Sequence, residues 1–189
     1  MTTQSPDSTS PGSDDEIGVW MLRFMADDAA DGRARVETWR RRTDESATVV
    51  GVLADIAESD QSVEINTISG NTHVGHVAHV GDAAVVIETQ NRQLVVVRTS
   101  AIAAVIPERG FRVPGEGVST STRSLRAIID AVIEPGDVLN VIAGGSSIIG
   151  EFISCGQEVL LLRAAMNRTF YLALEAIGEI SLATNSGWR

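Results

Sequence analysis

A chain of 189 residues, 43% of them apolar, has room for two small folded units. With aromatics at only 4%, its cores must rest on Val, Ile, Leu and Ala. Fifteen basic residues, all of them arginine, stand against 25 acidic ones, and a charge of −10 argues against a binder held by phosphate contacts.

Residues 1–12 are rich in Ser, Thr and Pro and cannot bury enough surface to order themselves, which predicts a disordered tail. Residues 13–43 form a helical segment. Ser13 and Glu16 have the spacing of a capping box, and Ile17, Trp20, Met21, Phe24 and Met25 then line one helical face. That stripe packs on the rest of the chain or serves as a docking or oligomerisation helix, so Trp20, Met21, Phe24 and Met25 are candidates for partner binding. Gly32 stops it, and a second helix runs over residues 33–42. Asp44 is the expected cap of a third helix, from Glu45 to about Glu58, on which Val49, Val52, Leu53 and Ile56 recur at helical spacing.

Residues 63–107 then read as five short strands. Val63 and Ile65 alternate with polar neighbours, and Ser69-Gly70-Asn71 turns the chain. Residues 72–80 form the next strand, with Gly75 marking a bend inside it. Gly81-Asp82 makes a tight turn, and residues 83–89 are so apolar that both faces should be covered. Residues 92–99 return, and residues 102–106 follow after a short connection, stopped by Pro107. The first domain is thus 44–107, and 108–122 is a linker rich in Gly, Ser and Pro.

A second domain, 123–183, repeats the first. Gly70, Gly75 and Gly81 return at one constant offset as Gly145, Gly150 and Gly156, and Val85, Val86 and Ile87 as Leu160, Leu161 and Leu162. Ala101-Ile102 returns as Ala176-Ile177. Leu125, Ile128, Ile129 and Val132 repeat the preceding helix, which Pro135-Gly136 ends. Residues 184–189 read as a tail. The expected fold is mainly β with helices (α+β): two tandem five-stranded barrels of Sm-like or SH3-like type, each preceded by a helix, plus the N-terminal helical segment. Closure would remove exposed edges.

A helix, five strands in this order and a nearly loopless last connection resemble the Sm-like fold, and the first copy is most similar to its bacterial Hfq branch. The residues that carry the resemblance are Gly70, Gly75, Asp82, Gln93 and the ending AIAAVIP at 101–107. It covers about two thirds of the chain. The resemblance implies ring assembly through the edges of the last strands and RNA binding at the pore or on one face. The matched positions depart from the RNA-binding pattern. Val86 stands where the Sm branch has Asn. Arg98-Thr99-Ser100 stands where the Hfq branch has Tyr-Lys-His, and Ala173-Leu174-Glu175 takes that place in the second copy.

The chemistry-bearing residues are few. His73, His76 and His79 are the only histidines. Strand alternation puts His73 and His79 on one face and His76 on the other, so the two are weak metal candidates; no metal and no cofactor are expected. No nucleophile sits at a strand-to-helix turn, and Gly144-Gly145 lacks the following Lys of a phosphate loop, so no enzyme is expected unless a deep pocket gathers carboxylates or histidines. Cys155, alone, ends an apolar strand as an inert thiol with no disulfide partner. No apolar run is long enough to span a membrane and no leader pattern opens the chain, so a cytoplasmic location is expected.

The composite expectation is a non-catalytic assembly or adaptor protein with a protein partner and a homo-oligomeric state. Three chains closing a pseudo-hexameric ring are one form, and a dimer held by the Trp20 helix is the other. The alternative is a divergent RNA-binding protein using Arg98 and the cluster Arg40, Arg41 and Arg42.

Overall fold

The computed structural model describes residues 45–108, 115–119 and 121–182. Contacts divide the chain into Met1–Glu45 and Ser46–Arg189, and every element below belongs to the second unit. The helices expected over residues 13–43, with Trp20, Met21, Phe24 and Met25 and the cluster Arg40–Arg42, lie outside the described residues, as do both tails.

Helix α1, Val49–Glu58, begins later than the spacing predicted, because Thr48 caps it: its Oγ1 accepts a hydrogen bond from Gly51 N at 2.9 Å. Leu53, Ala54 and Ile56 are its buried face. Helix α2, Leu125–Val132, starts in the same way, with the Ser124 hydroxyl accepting from Ala127 N and Leu125, Ile128 and Ile129 buried.

Ten strands form, and the two-residue alternation of burial is clearest in the first, where Val63, Ile65 and Thr67 are buried. They are β1 (Ser62–Thr67), β2 (Thr72–Val80), β3 (Ala84–Thr89), β4 (Leu94–Arg98), β5 (Ile102–Pro107), β6 (Val138–Ala143), β7 (Ser146–Cys155), β8 (Val159–Ala164), β9 (Arg168–Ala173) and β10 (Ile177–Leu182). The repeat extends to its irregularities. A bulge interrupts β2–β3 between Val77 and His79, and another interrupts β7–β8 between Phe152 and Ser154, the equivalent place. Three-residue 3-10 turns, Thr99–Ala101 and Leu174–Ala176, lead into the last strand of each half. At Gly75 a Cβ would stand 2.1 Å from Glu88 O, which explains the glycine inside β2.

The two closed barrels do not form. All ten strands make one open antiparallel sheet in the order β5-β1-β2-β3-β4-β10-β6-β7-β8-β9. The 3-10 turn after β4 carries the chain away to the far side of β1, where β5 pairs. The outward backbone groups of β4 are then taken by β10 from the other half, with Glu179 opposite Val97, Ile180 opposite Val96 and Ser181 opposite Val95. The physical reason lies in β3 and β4 themselves. Val85, Ile87, Val95 and Val97 face a core with α1, β1 and Val80. Ala84, Val86 and Val96 face the opposite way, into a core with α2, Leu139, Val141, Phe152, Leu160, Leu162 and Ile180. A barrel closed on itself would leave that second apolar face in water. Joining the halves buries it, at about 25 cal/mol per Å² of apolar surface.

Candidate functional site

The junction between the halves holds a cluster of polar side chains from both. Glu179 on β10 is 3% exposed. Its carboxylate accepts hydrogen bonds from Ser69 Oγ, from Asn71 Nδ2 at 3.0 Å and from His73 Nε2 at 2.7 Å, all from the β1–β2 turn region of the other half. Burial by itself would push this carboxyl up. The hydrogen bonds from Ser69, His73, Thr67 and Asn71 outweigh it and hold the group below the usual carboxylate range. Arg98, at the end of β4, donates from Nε to Ile177 O at 2.8 Å and from its terminal nitrogen to Leu174 O. It thereby ties down the 3-10 turn that launches β10.

These contacts reassign two residues singled out in the sequence. Arg98, the cation nominated for RNA, has its guanidinium engaged with backbone carbonyls inside the chain. His73 is part of the junction, whereas His79 is not on its face. The β2 bulge sets His73 opposite Ile65 on the inner side and His79 opposite Val86 on the outer side, so strict alternation fails there. His76 lies 3.8 Å from an exposed Asp60 carboxylate. Among the described residues, no three His, Cys, Asp or Glu side chains converge as a metal would need.

His79 Nε2 is buried without a hydrogen-bond partner. It borders a shallow groove of about 230 Å³ between β2–β4 and α2, lined by Ala78, Val86, Leu94, Ile128 and Val132 with Arg123 at its rim. That lining carries no carboxylate and no nucleophile. Cys155 is half-buried at the end of β7; burial, then the Asp130 carboxylate, push its thiol up, and Arg126 offsets part of this. Among the described residues, no helix is long and apolar enough to cross a membrane.

The second notable surface is the pair of sheet ends. Among the described residues, strand β5 pairs only with β1, and β9 only with β8. Edge strands are normally blunted by charge, proline or a bulge facing the free side. Here β5 reads IAAVIP and β9 reads RTFYLA; their blunting devices are Pro107 and Arg168 at the strand ends and the register shift at Ala103, where β5 bulges against β1. Ile106 and Tyr171 stand 46% and 69% exposed on them.

Glu179, Ser69 and Asn71 escaped the sequence reading. Their signal was a correlated difference between the copies. Ala104 is the counterpart of Glu179, and Gly144, Ser146 and Ile148 are the counterparts of Ser69, Asn71 and His73. The donors and their acceptor change together.

No protein-family model matches this sequence, and no curated protein matches it at a significant level.

Proposed function

We propose that this chain is a non-catalytic assembly or adaptor protein that binds a protein partner by extending its own sheet. The observation that carries the reading is the pair of apolar, almost uncharged end strands β5 and β9, each of which pairs with one neighbour among the described residues. Two further points support it. The net charge of −10 repels phosphate, and Arg98, the cation that the RNA reading needs, is engaged within the chain. Kinship with the Sm-like proteins is supported by the repeated order of one helix and five strands; a closed barrel forms no part of it.

The test is capture from the native host with immobilised wild-type chain and with Ala104→Lys, which places a charge on the free edge of β5. Captured proteins should survive nuclease treatment and be lost with Ala104→Lys. Retention on filters of a mixed RNA pool, falling steeply as salt rises, would overturn the reading in favour of nucleic acid.

A further inference from the structure

We infer that the groove between α2 and strands β2–β4 is a binding site for a small amphiphilic carboxylate, whose charged end is held between Arg123 and His79 and whose apolar body lies along α2. This site is separate from the sheet ends and stands apart from the assembly reading.

The groove has two chemically distinct ends. Ile128 and Val132 form one wall from α2, and Val86 and Leu94 form the other from β3 and β4. These side chains offer only apolar contact, so they favour a ligand that is mostly hydrocarbon. The polar end is built by the segment that enters α2. Ser121 bridges to Gly81, and its carbonyl accepts from Asp82 N at 3.1 Å. Its hydroxyl accepts from Arg123 N, also at 3.1 Å. That strap sets Arg123 beside the end of β2. A Cβ on Gly81 would stand 3.6 Å from His79 Nε2, so the imidazole tip lies against the strap that carries Arg123.

Two groups at this end are not used by the fold. His79 Nε2 is buried without a hydrogen-bond partner, which costs stability. The bulge does not require the imidazole, because the matching bulge in β7 has Ser154 at this place. Arg123 is exposed, and its guanidinium has no partner among the described residues. A guanidinium fork and a ring N–H are the donors that the two oxygens of a carboxylate accept from. The Nε2–H form of His79 supplies that hydrogen once the ring turns from the strap toward the ligand.

Charge fixes the orientation. Glu88 lies directly opposite Leu94 across β3–β4 and is exposed, so a carboxylate already stands at the apolar end and repels a second one. Asp82, near the polar end, is engaged by the Ser119 hydroxyl. On α2, Arg126 and Asp130 pair with each other at 3.5 Å. The ligand's charge therefore goes to Arg123. The volume of about 230 Å³ holds roughly eight heavy atoms at the ~30 Å³ that a water takes in the liquid. Octanoate, with its carboxylate at the rim, matches that volume.

Calorimetric titration of the full-length protein with sodium octanoate tests the site. One saturable site per chain is expected, with half-saturation on the order of 1 mM or below for so small a ligand. 1-Octanol, the same chain without the charge, should bind about tenfold more weakly or worse, the loss of a charge-assisted contact. Arg123→Gln should weaken octanoate about tenfold. His79→Leu should also weaken it while Tm holds or rises, which separates lost binding from lost folding. Ala131→Trp, at an exposed position on the lip of the groove, should abolish binding with unchanged far-ultraviolet circular dichroism. Uptake that does not saturate, equal binding of 1-octanol and octanoate, or an octanoate affinity unmoved by any one of the three substitutions would overturn the inference. A wild type that takes up no octanoate, and whose mass by light scattering falls with Ala131→Trp, would place a second copy in the groove and overturn it as well.

Discussion

Glu179 should be worth more to this fold than its place in the middle of an apolar strand suggests. Glu179→Ala deletes an acceptor engaged by Ser69, Asn71 and His73. Hydrogen bonds to charged groups contribute about 1.5–3 kcal/mol each. Three of them do not sum simply, because Ser69 and Asn71 are exposed and regain water once the carboxylate is gone, and burying the charge costs part of the gain. A loss of about 2–4 kcal/mol remains for Glu179→Ala, and about half that for Glu179→Gln, whose amide oxygen can still accept from one donor. In a unit of this size each kcal/mol lowers Tm by about 2–4 °C, so Glu179→Ala should melt about 4–16 °C below the wild type at pH 7. The carboxyl is held below its usual range, so its contribution is fully present above the unfolded carboxylate value of about 4.3 and is lost as pH falls through the lower folded value. The gap between wild type and Glu179→Gln should therefore close on acidification. Thermal melts followed by circular dichroism from neutral pH to about pH 3 measure both effects. Wild type and Glu179→Gln melting together at pH 7, or a gap that widens in acid, would refute the clasp.

Three more outcomes follow from the packing. Gly51→Ala, which in a free helix would add up to about 1 kcal/mol of stability, should instead destabilise, because its Cβ would stand 2.1 Å from Gly115 O; urea melts give the sign. Gly75→Ala should cost more than Gly150→Ala, since the first Cβ meets Glu88 O at 2.1 Å and the second meets Arg163 O at 2.9 Å, and paired denaturation curves rank them. His79→Leu removes a buried nitrogen that has no partner and adds apolar surface beside Val86 and Leu94, so Tm should hold or rise by a few degrees in calorimetry.

Much of the local structure was legible without coordinates. Residues 72–80 were bounded correctly as a strand because Ser69-Gly70-Asn71 and Gly81-Asp82 flank an extended run. The apolar run at 83–89 was rightly expected to be covered on both faces. Gly75, expected to mark a bend, instead sits in unbroken register where the Glu88 backbone comes too close for a Cβ. The cap of α1 was misplaced because Asp44 and Thr48 both have cap chemistry, and local sequence does not say which one the packed helix uses. The histidine faces were misjudged because alternation assumes an unbroken strand, and the bulge at Ala78 turns His79 to the other side. Arg98 was read as a solvent-facing cation for want of the Leu174 and Ile177 carbonyls, which come from distant chain.

The order of elements, their repeat and the two-sided hydrophobicity of β3 and β4 were all written in the residues, because turn chemistry and periodicity act over a few positions. Which strand lies beside β4 was not. A free edge accepts any strand of matching length, and sequence patterns do not distinguish closure within one half from pairing with β10. The choice was made by the summed burial of Ala84, Val86 and Val96 and by the Arg98 and Glu179 clasps, which exist only once the two halves have met.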